Sequence, residues 1–217
     1  MALTNQIQFK TLTQLVVEML REKIISGEII TGARIQQDKL AQEFNVSKNP
    51  VREALIILQA EGFIDNISNK GAVVASISAE QIDELFMLRV LIETDLLIAS
   101  LKNISLDKLK EAQHIITQLN SDSSVNVWCK LHTQYFNCLY SGIERPQTQE
   151  MLNFMNNKIE KYNRLRFGNV SIKTQLKHCL KQLLNYCIEG KVEQAVLNLK
   201  QHILSTRDEI KVIIMPK

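Results

Sequence analysis

Lys48, Asn49 and Arg52 cluster near the start of the stretch Asn45 to Gly62, and their side chains are of the types that meet phosphate oxygens and purine edges. Ser47, just before them, can cap a helix by accepting a hydrogen bond from a free N–H of its first turn. Pro50 is tolerated there because those N–H groups lack partners anyway, and Gly62 supplies a left-handed stop. Val51, Leu55 and Leu58, three and four apart, make a buried stripe. The three polar residues fall outside that stripe, free to face a partner. For two isolated basic residues the alternative is a solvated helix start, so the neighbouring segments decide.

Those segments have a definite order. Thr11 to Ser26 carries Leu15, Val16, Met19, Leu20 and Ile24 at helical spacing and ends at Ser26-Gly27. Gly32 and Arg34 mark a connection, and Gln37 to Phe44 reads as a short helix with Leu40, Ala41 and Phe44 inward. Asn45-Val46 is the turn before the helix described above. After Gly62, residues 63–67 and 72–77 are β-rich runs separated by Ser68-Asn69-Lys70-Gly71, a set of residues that suits a hairpin. This is the order of a winged helix-turn-helix. The run Val-Ser-x-x-Pro-Val-Arg-Glu-Ala-Leu from Val46, with Leu-x-x-Glu-Gly ending at Gly62, resembles the hallmark of the bacterial GntR transcription regulators. The resemblance implies that Ser47, Lys48, Asn49 and Arg52 face the DNA major groove and that Lys70 and Gly71, at the wing tip, approach the minor groove. Lys70 read alone is also an ordinary exposed turn lysine.

From Ser78 strands vanish and helical periodicity continues. Ser78 and Gln81 fit a capping box, and helices are expected over 78–102, 105–120, 125–141, 147–167, 171–189 and 191–213. The expected fold is therefore mainly α: a winged helix-turn-helix over residues 1–77, then an all-α six-helix bundle over 78–217. Leu85 to Glu93 resembles the opening Arg-x-x-x-Glu helix of the FCD-type sensor domain in the FadR branch of GntR regulators. Ile188-Glu189-Gly190-Lys191, Ala195 and His202 resemble its closing pair. Six helices rather than seven suggest the VanR-like group.

That resemblance implies a small-molecule effector, and in many members a divalent metal such as zinc or nickel, held by an Asp and a His one helical turn apart and two later histidines. His132 and His202 match two of these ligands. Trp128 stands at the Asp position and Leu180 at the remaining His position, while His178 lies roughly 200° around its helix from Leu180. Two ligands would need water and a bound carboxylate to complete a site. The same pocket can take an organic acid, with Arg89 clamping a carboxylate and His132 and His202 donating hydrogen bonds. Tyr135, on the same helix as His132, joins this effector set as pocket wall, and Trp128 is expected as core or wall. Against these roles, Arg89 can simply pair with Glu93 four residues on, and either histidine can be a satisfied core residue.

Composition sets further bounds. The 217 residues are 45% hydrophobic and carry a net charge of +3. Residues 1–77 hold eight Lys/Arg and eight Asp/Glu, so a phosphate-facing patch requires charge sorting within the fold. Met1 to Lys10 lacks the pattern of a signal peptide and no apolar run approaches a membrane span, so a cytoplasmic protein with no membrane partner is expected. Four cysteines without a Cys-x-x-Cys pair read as reduced core thiols. No nucleophile motif, phosphate-binding glycine loop or metalloprotease helix argues for an enzyme. The expectation is a homodimeric regulator, of the repressor type, on a double-stranded DNA operator, tuned by a carboxylate effector. The alternative is a winged module that binds protein above a bundle that only dimerises.

Overall fold

The protein is described here by a computed structural model covering residues 10–121 and 123–214; the stretch read for a leader, apart from Lys10, lies outside the described residues. The chain divides into two compact units with the break between Ser76 and Ile77. Ile77, expected as the last residue of the first domain, packs against the core of the second.

In the first unit, α1 (Leu12–Ile25), α2 (Gln37–Glu43) and α3 (Lys48–Ala60) precede the antiparallel hairpin β1 (Ile64–Ile67) and β2 (Gly71–Val74). Thr11 caps α1 with both bonds of a capping box to Gln14. The buried face of α1 is Val16, Val17, Leu20, Ile24 and Ile25, whereas Leu15 and Met19, expected inside, are 42% and 47% exposed. Five apolar positions in a short span allow two overlapping stripes, and packing against α3 selects the one through Val17. Asn45 adopts a left-handed φ of 52°, and Val46 N–H bonds the Ala41 carbonyl at 2.9 Å, which closes the turn between α2 and α3. Gly62, at φ 83°, lets Phe63 N–H reach the Leu58 carbonyl at 2.9 Å and ends α3.

The wing is a wider sheet than the hairpin read from sequence. The connection around Gly32 and Arg34 runs antiparallel to β2, with Ile35 N–H to Ala72 O at 2.8 Å, Gly32 N–H to Val74 O and Val74 N–H to Ala33 O, both at 2.9 Å. Its few residues, interrupted by Gly32, are too short to show alternation, so the pairing was not legible in the chain.

The second unit holds α4 (Ala79–Ser100), α5 (Leu106–Gln118), α6 (Val125–Leu139), α7 (Pro146–Arg166), α8 (Val170–Ile188) and α9 (Val192–Ile214), six helices close to the expected spans. Ser78 and Gln81 make both bonds of the capping box. Trp128, Tyr135, Leu139, Leu180 and Leu199 lie in one fully buried core. Cys138 and Cys187 are buried and Cys129 and Cys179 partly so, all as free thiols. Among the described residues no helix is long and apolar enough to cross a membrane.

Candidate functional site

Two places in the molecule gather the residues singled out above. In the first unit, Val51, Leu55 and Leu58 are buried and turn Ser47, Lys48, Asn49 and Arg52 to solvent at the start of α3. Ser47 occupies the position before the helix with extended backbone, but its side chain makes no capping hydrogen bond, so its hydroxyl remains available to another acceptor or donor. At the wing tip Asn69 and Gly71 take φ of 66° and 75°, and Lys70 is exposed between them. A Cβ on Gly71 would meet nothing within 4 Å; the residue is needed there for its backbone conformation.

Ion pairing sorts the neutral domain's charge. Lys10 pairs with Glu18, Arg21 with Glu61, and Lys23 with both Glu28 and Glu43. These bonds tie basic residues on and before α1 to acids. Arg34, Lys39, Arg52 and Lys70 have no acidic partner among the described residues and are exposed. Lys48 reaches Asp38 at 2.9 Å, with both side chains about two-thirds exposed, a pair weak enough to give way to phosphate. Arg34 and Lys39 carry no sequence signal beyond their charge; only the ion pairs of their neighbours distinguish them.

In the second unit α4, α6, α7 and α9 enclose a cavity of about 50 Å³, room for a few water molecules or a small anion. Arg89, His132 and His202 line it. Arg89 Nε donates to Glu93 at 2.7 Å, and Tyr140 O–H donates to the other Glu93 oxygen at 2.8 Å. The helical pairing of Arg89 with Glu93 is thus present, yet it uses only Nε; the guanidinium stands 5.0 Å from the Phe86 ring centroid and its terminal nitrogens have no hydrogen-bond partner among the described residues. The His202 ring stacks on Phe136 with centroids 5.4 Å apart, and the His132 and His202 centroids are 5.6 Å apart. His132 Nε2 is shut off from solvent and lacks a hydrogen-bond partner, a state that costs about 1–3 kcal/mol unless a ligand or water supplies one. Tyr135 is elsewhere: fully buried, its O–H donates to the Leu180 carbonyl at 2.8 Å and it does not line the cavity. Three residues on from His132, short of a full turn, Tyr135 is rotated roughly 60° around α6 and so meets α8 instead of the cavity.

The wall that sequence reasoning missed is α7. Gln149, Asn153, Asn156, Glu160 and Asn163, at spacings of four, three, four and three, all line the cavity. Polar residues at helical spacing normally mark a solvated face. Here they form one side of the cavity, Asn153 exposed at its rim and the other four half-buried, and their dominance by carboxamides was the available signal. Arg166, at the end of α7, is 3% exposed; its Nε donates to Glu209 at 2.7 Å and its terminal amine to Asn163 Oδ1 at 3.0 Å.

Burial, with Arg166 and Arg89 nearby, pushes His132 down to about 3, and burial with His132 and the same arginines holds His202 well below the usual histidine range. Both rings are neutral at pH 7. Because unfolding lets His132 take a proton near pH 6.5, stability is full above that value and declines as pH falls toward about 3. The expected slope is up to about 1.4 kcal/mol per pH unit for one histidine. Thermal unfolding of the wild type and His132→Gln between about pH 7 and about pH 4.5, the upper part of this window, checks it. The wild type should lose more stability on acidification than the variant, and parallel curves would remove His132 from the account.

Zinc or nickel does not fit this chemistry. Among the described residues no group of three or more His, Cys, Asp or Glu side chains could hold a metal ion. Trp128, at the Asp position, is buried with its indole N–H on the Asn120 carbonyl at 2.6 Å; Leu180 is buried core and His178 is exposed. The two imidazoles at His132 and His202 remain; of the two carboxylates that line the same cavity, Glu93 is already held by Arg89 and Tyr140 and Glu160 stands on the α7 wall.

Comparisons with known proteins agree with both halves of the chain. Residues 12–74 match the family of bacterial regulatory proteins, gntR family, and residues 84–205 match the FCD domain. The gluconate operon transcriptional repressor of Bacillus licheniformis is 44% identical over 75 residues, 35% of this chain and 30% of that protein. The match thus spans about a third of that relative's length. The HTH-type transcriptional regulator BphR of Paraburkholderia xenovorans (strain LB400) is 24% identical over 165 residues, 72% of this chain and 67% of that one. Among solved structures, E. coli McbR/YncC superposes with a TM-score of 0.76 at 18% identity, covering 95% of this chain and all (100%) of that one, a likeness of fold. A GntR family member from Pseudomonas syringae pv. tomato str. DC3000 gives 0.56 at 26% identity, covering 93% and 85%. These are transcription regulators rather than enzymes. With its winged helix-turn-helix followed by an FCD domain, the chain belongs to the GntR family of DNA-binding transcription regulators, in the FadR/VanR-like branch.

Proposed function

We propose that the protein acts as a homodimer whose two winged units read a pseudo-palindromic operator, and whose bundle cavity takes a small organic acid that shifts the dimer between DNA-competent and incompetent states. On α3, Lys48 and Arg52 meet phosphate or guanine and Asn49 meets adenine or phosphate, while Lys70 follows the backbone at the wing tip. The observation that carries the DNA reading is the sorting of charge: basic residues left without acids include Arg52 and Lys70, at the two positions where this fold meets a duplex. Replacing Arg52 by Ala should weaken binding to the operator about 10- to 100-fold while leaving the unfolding midpoint in place. Fluorescence anisotropy with a labelled operator duplex measures this, and an unchanged affinity would remove Arg52 from the interface. A module that binds protein through the winged unit would predict that unchanged affinity.

The dimer reading rests on α4. Met87, Leu88, Leu91 and Ile98 are exposed on one side of a helix whose other side, from Ile82 to Leu97, is buried in the bundle core. Met87 apart, those exposed positions and the flanking Glu84 and Asp95 recur three and four residues apart, the repeat of a helix-to-helix seam. A helix apolar on both sides belongs in an interior. A second copy applied by a two-fold axis brings the same apolar strip against itself, the commonest symmetry of soluble oligomers.

The acid reading rests on the cavity: Arg89 with free terminal nitrogens, two neutral imidazoles and an unpartnered His132 Nε2 all converge on one space. An effector that favours one dimer geometry changes DNA affinity by its own difference in affinity for the two states.

A further inference from the structure

We propose that the bundle binds its anionic effector without a metal ion, Arg89 and Arg166 supplying from two sides the cationic contacts that a metal supplies in related sensor domains. This rests on the reading of the cavity as an acid site. Arg166 enters for reasons of geometry. Its terminal amine holds Asn163, its guanidinium lies 5.6 Å from the centroid of the Phe167 ring, and both Asn163 and Phe167 line the cavity. Arg166 itself lines an adjoining cleft of about 290 Å³ together with His202 and Thr206, which also line the cavity. The two spaces thus share His202 and Thr206 as lining, and Arg166 lines the cleft side.

Each guanidinium is oriented by a carboxylate on Nε, Glu93 for Arg89 and Glu209 for Arg166. Fixing Nε leaves terminal N–H groups for a ligand and sets the plane in which they lie, which suits the flat two-oxygen face of a carboxylate. Glu160, on the α7 wall, is the remaining acid that lines the cavity. His132, as the Nε2–H tautomer, adds a buried donor that has no partner within the protein. A divalent cation placed between His132 and His202 would find no third ligand group among the described residues, Glu93 being taken up by Arg89 and Tyr140. An anion there meets donors from α4 and α6, and Arg166 at the end of α7 approaches from the cleft side. The depressed basicity of both imidazoles comes first from burial, with the same arginines adding to it.

The test is calorimetric titration of the metal-stripped full-length protein with acetate, pyruvate and succinate, in excess EDTA and then with zinc or nickel chloride. Expected is binding of at least one of these acids with the same affinity in EDTA and in metal. The Arg166→Gln variant should bind it at least about tenfold more weakly, with the wild-type circular dichroism spectrum. Should Arg166→Gln fail to fold, the wild-type comparison of EDTA with metal decides alone. Binding that appears only with zinc or nickel overturns the metal-free site and leaves the acid reading intact. Binding of none of the acids under either condition overturns the acid reading and this inference with it. Equal affinity in Arg166→Gln removes Arg166 from the site.

Discussion

Replacing Leu91 by Glu should convert the protein to a monomer and weaken operator binding by about 100-fold or more. Leu91 is 65% exposed at the middle of the α4 strip, so the substitution disturbs no core contact and the bundle should keep its helix content. In a symmetric interface each change is made twice, and two carboxylates meeting near the axis would lose both apolar burial and solvation. Losing the dimer then separates the two winged units. Each half-site must be found independently, and the gain from linking two binding events, typically 10²- to 10⁴-fold, disappears. Light scattering after size exclusion reads the mass, and anisotropy with the operator duplex reads the affinity. Leu106→Glu is the control: that residue, 73% exposed on α5, is outside the strip. A Leu91→Glu protein that remains dimeric would show that α4 is not the interface.

Gly142→Ala should destabilise the bundle by about 2–4 kcal/mol. Gly142 follows α6, where Ser100, fully buried at the end of α4, bridges the two segments. Its O–H donates to the Leu139 carbonyl at 2.7 Å and its Oγ accepts from Gly142 N–H at 2.8 Å. A Cβ on Gly142 would overlap the Ser100 carbonyl oxygen and stand 2.7 Å from Ile104 N. Both are backbone atoms, so no rotamer change relieves the contact, and the C-terminal end of α4 must move away from the segment after α6. Chemical denaturation of the full chain measures the loss. Adding Ser100→Ala should fail to rescue the variant, because the carbonyl overlap persists; an unchanged midpoint in Gly142→Ala would mean that the segment shifts freely.

The effector prediction also explains why the two histidines mislead when read as ligands. A metal site needs several donors converging at about 2 Å from one point, and sequence shows only that imidazoles stand at two of the right positions. The cavity around them contains Arg89 paired with Glu93, carboxamides and Glu160 on α7 and an orphaned imidazole nitrogen, and Arg166 lines the adjoining cleft. That set suits an anion with hydrogen-bonding substituents. In the proposed site His132 and His202, expected as metal residues, act as hydrogen-bonding residues, while Tyr135, expected beside them, is a strut between α6 and the Leu180 carbonyl of α8.

Local signals in the chain determined the order and type of the elements. The capping boxes at Thr11 and Ser78, the left-handed Asn45 and Gly62 and the apolar spacing of α3 depend on neighbours within a few residues, where chemistry and conformation are directly linked. So do the exposure of Lys48, Asn49 and Arg52 and the presence of six bundle helices. What only the tertiary structure decided involves partners far apart in sequence: the strand-like pairing of residues 32–35 with β2, the choice of Val17 over Leu15 on α1, and the ion pairs that leave Arg34 and Lys39 free. The inward turn of α7 belongs here as well. A polar stripe reads as solvated until other helices are packed around it, and the buried guanidinium of Arg166 is oriented by Glu209, 43 residues away. Periodicity reports which side of a helix differs from the other; whether that side meets water, a ligand or a second chain is set by what the fold places opposite it.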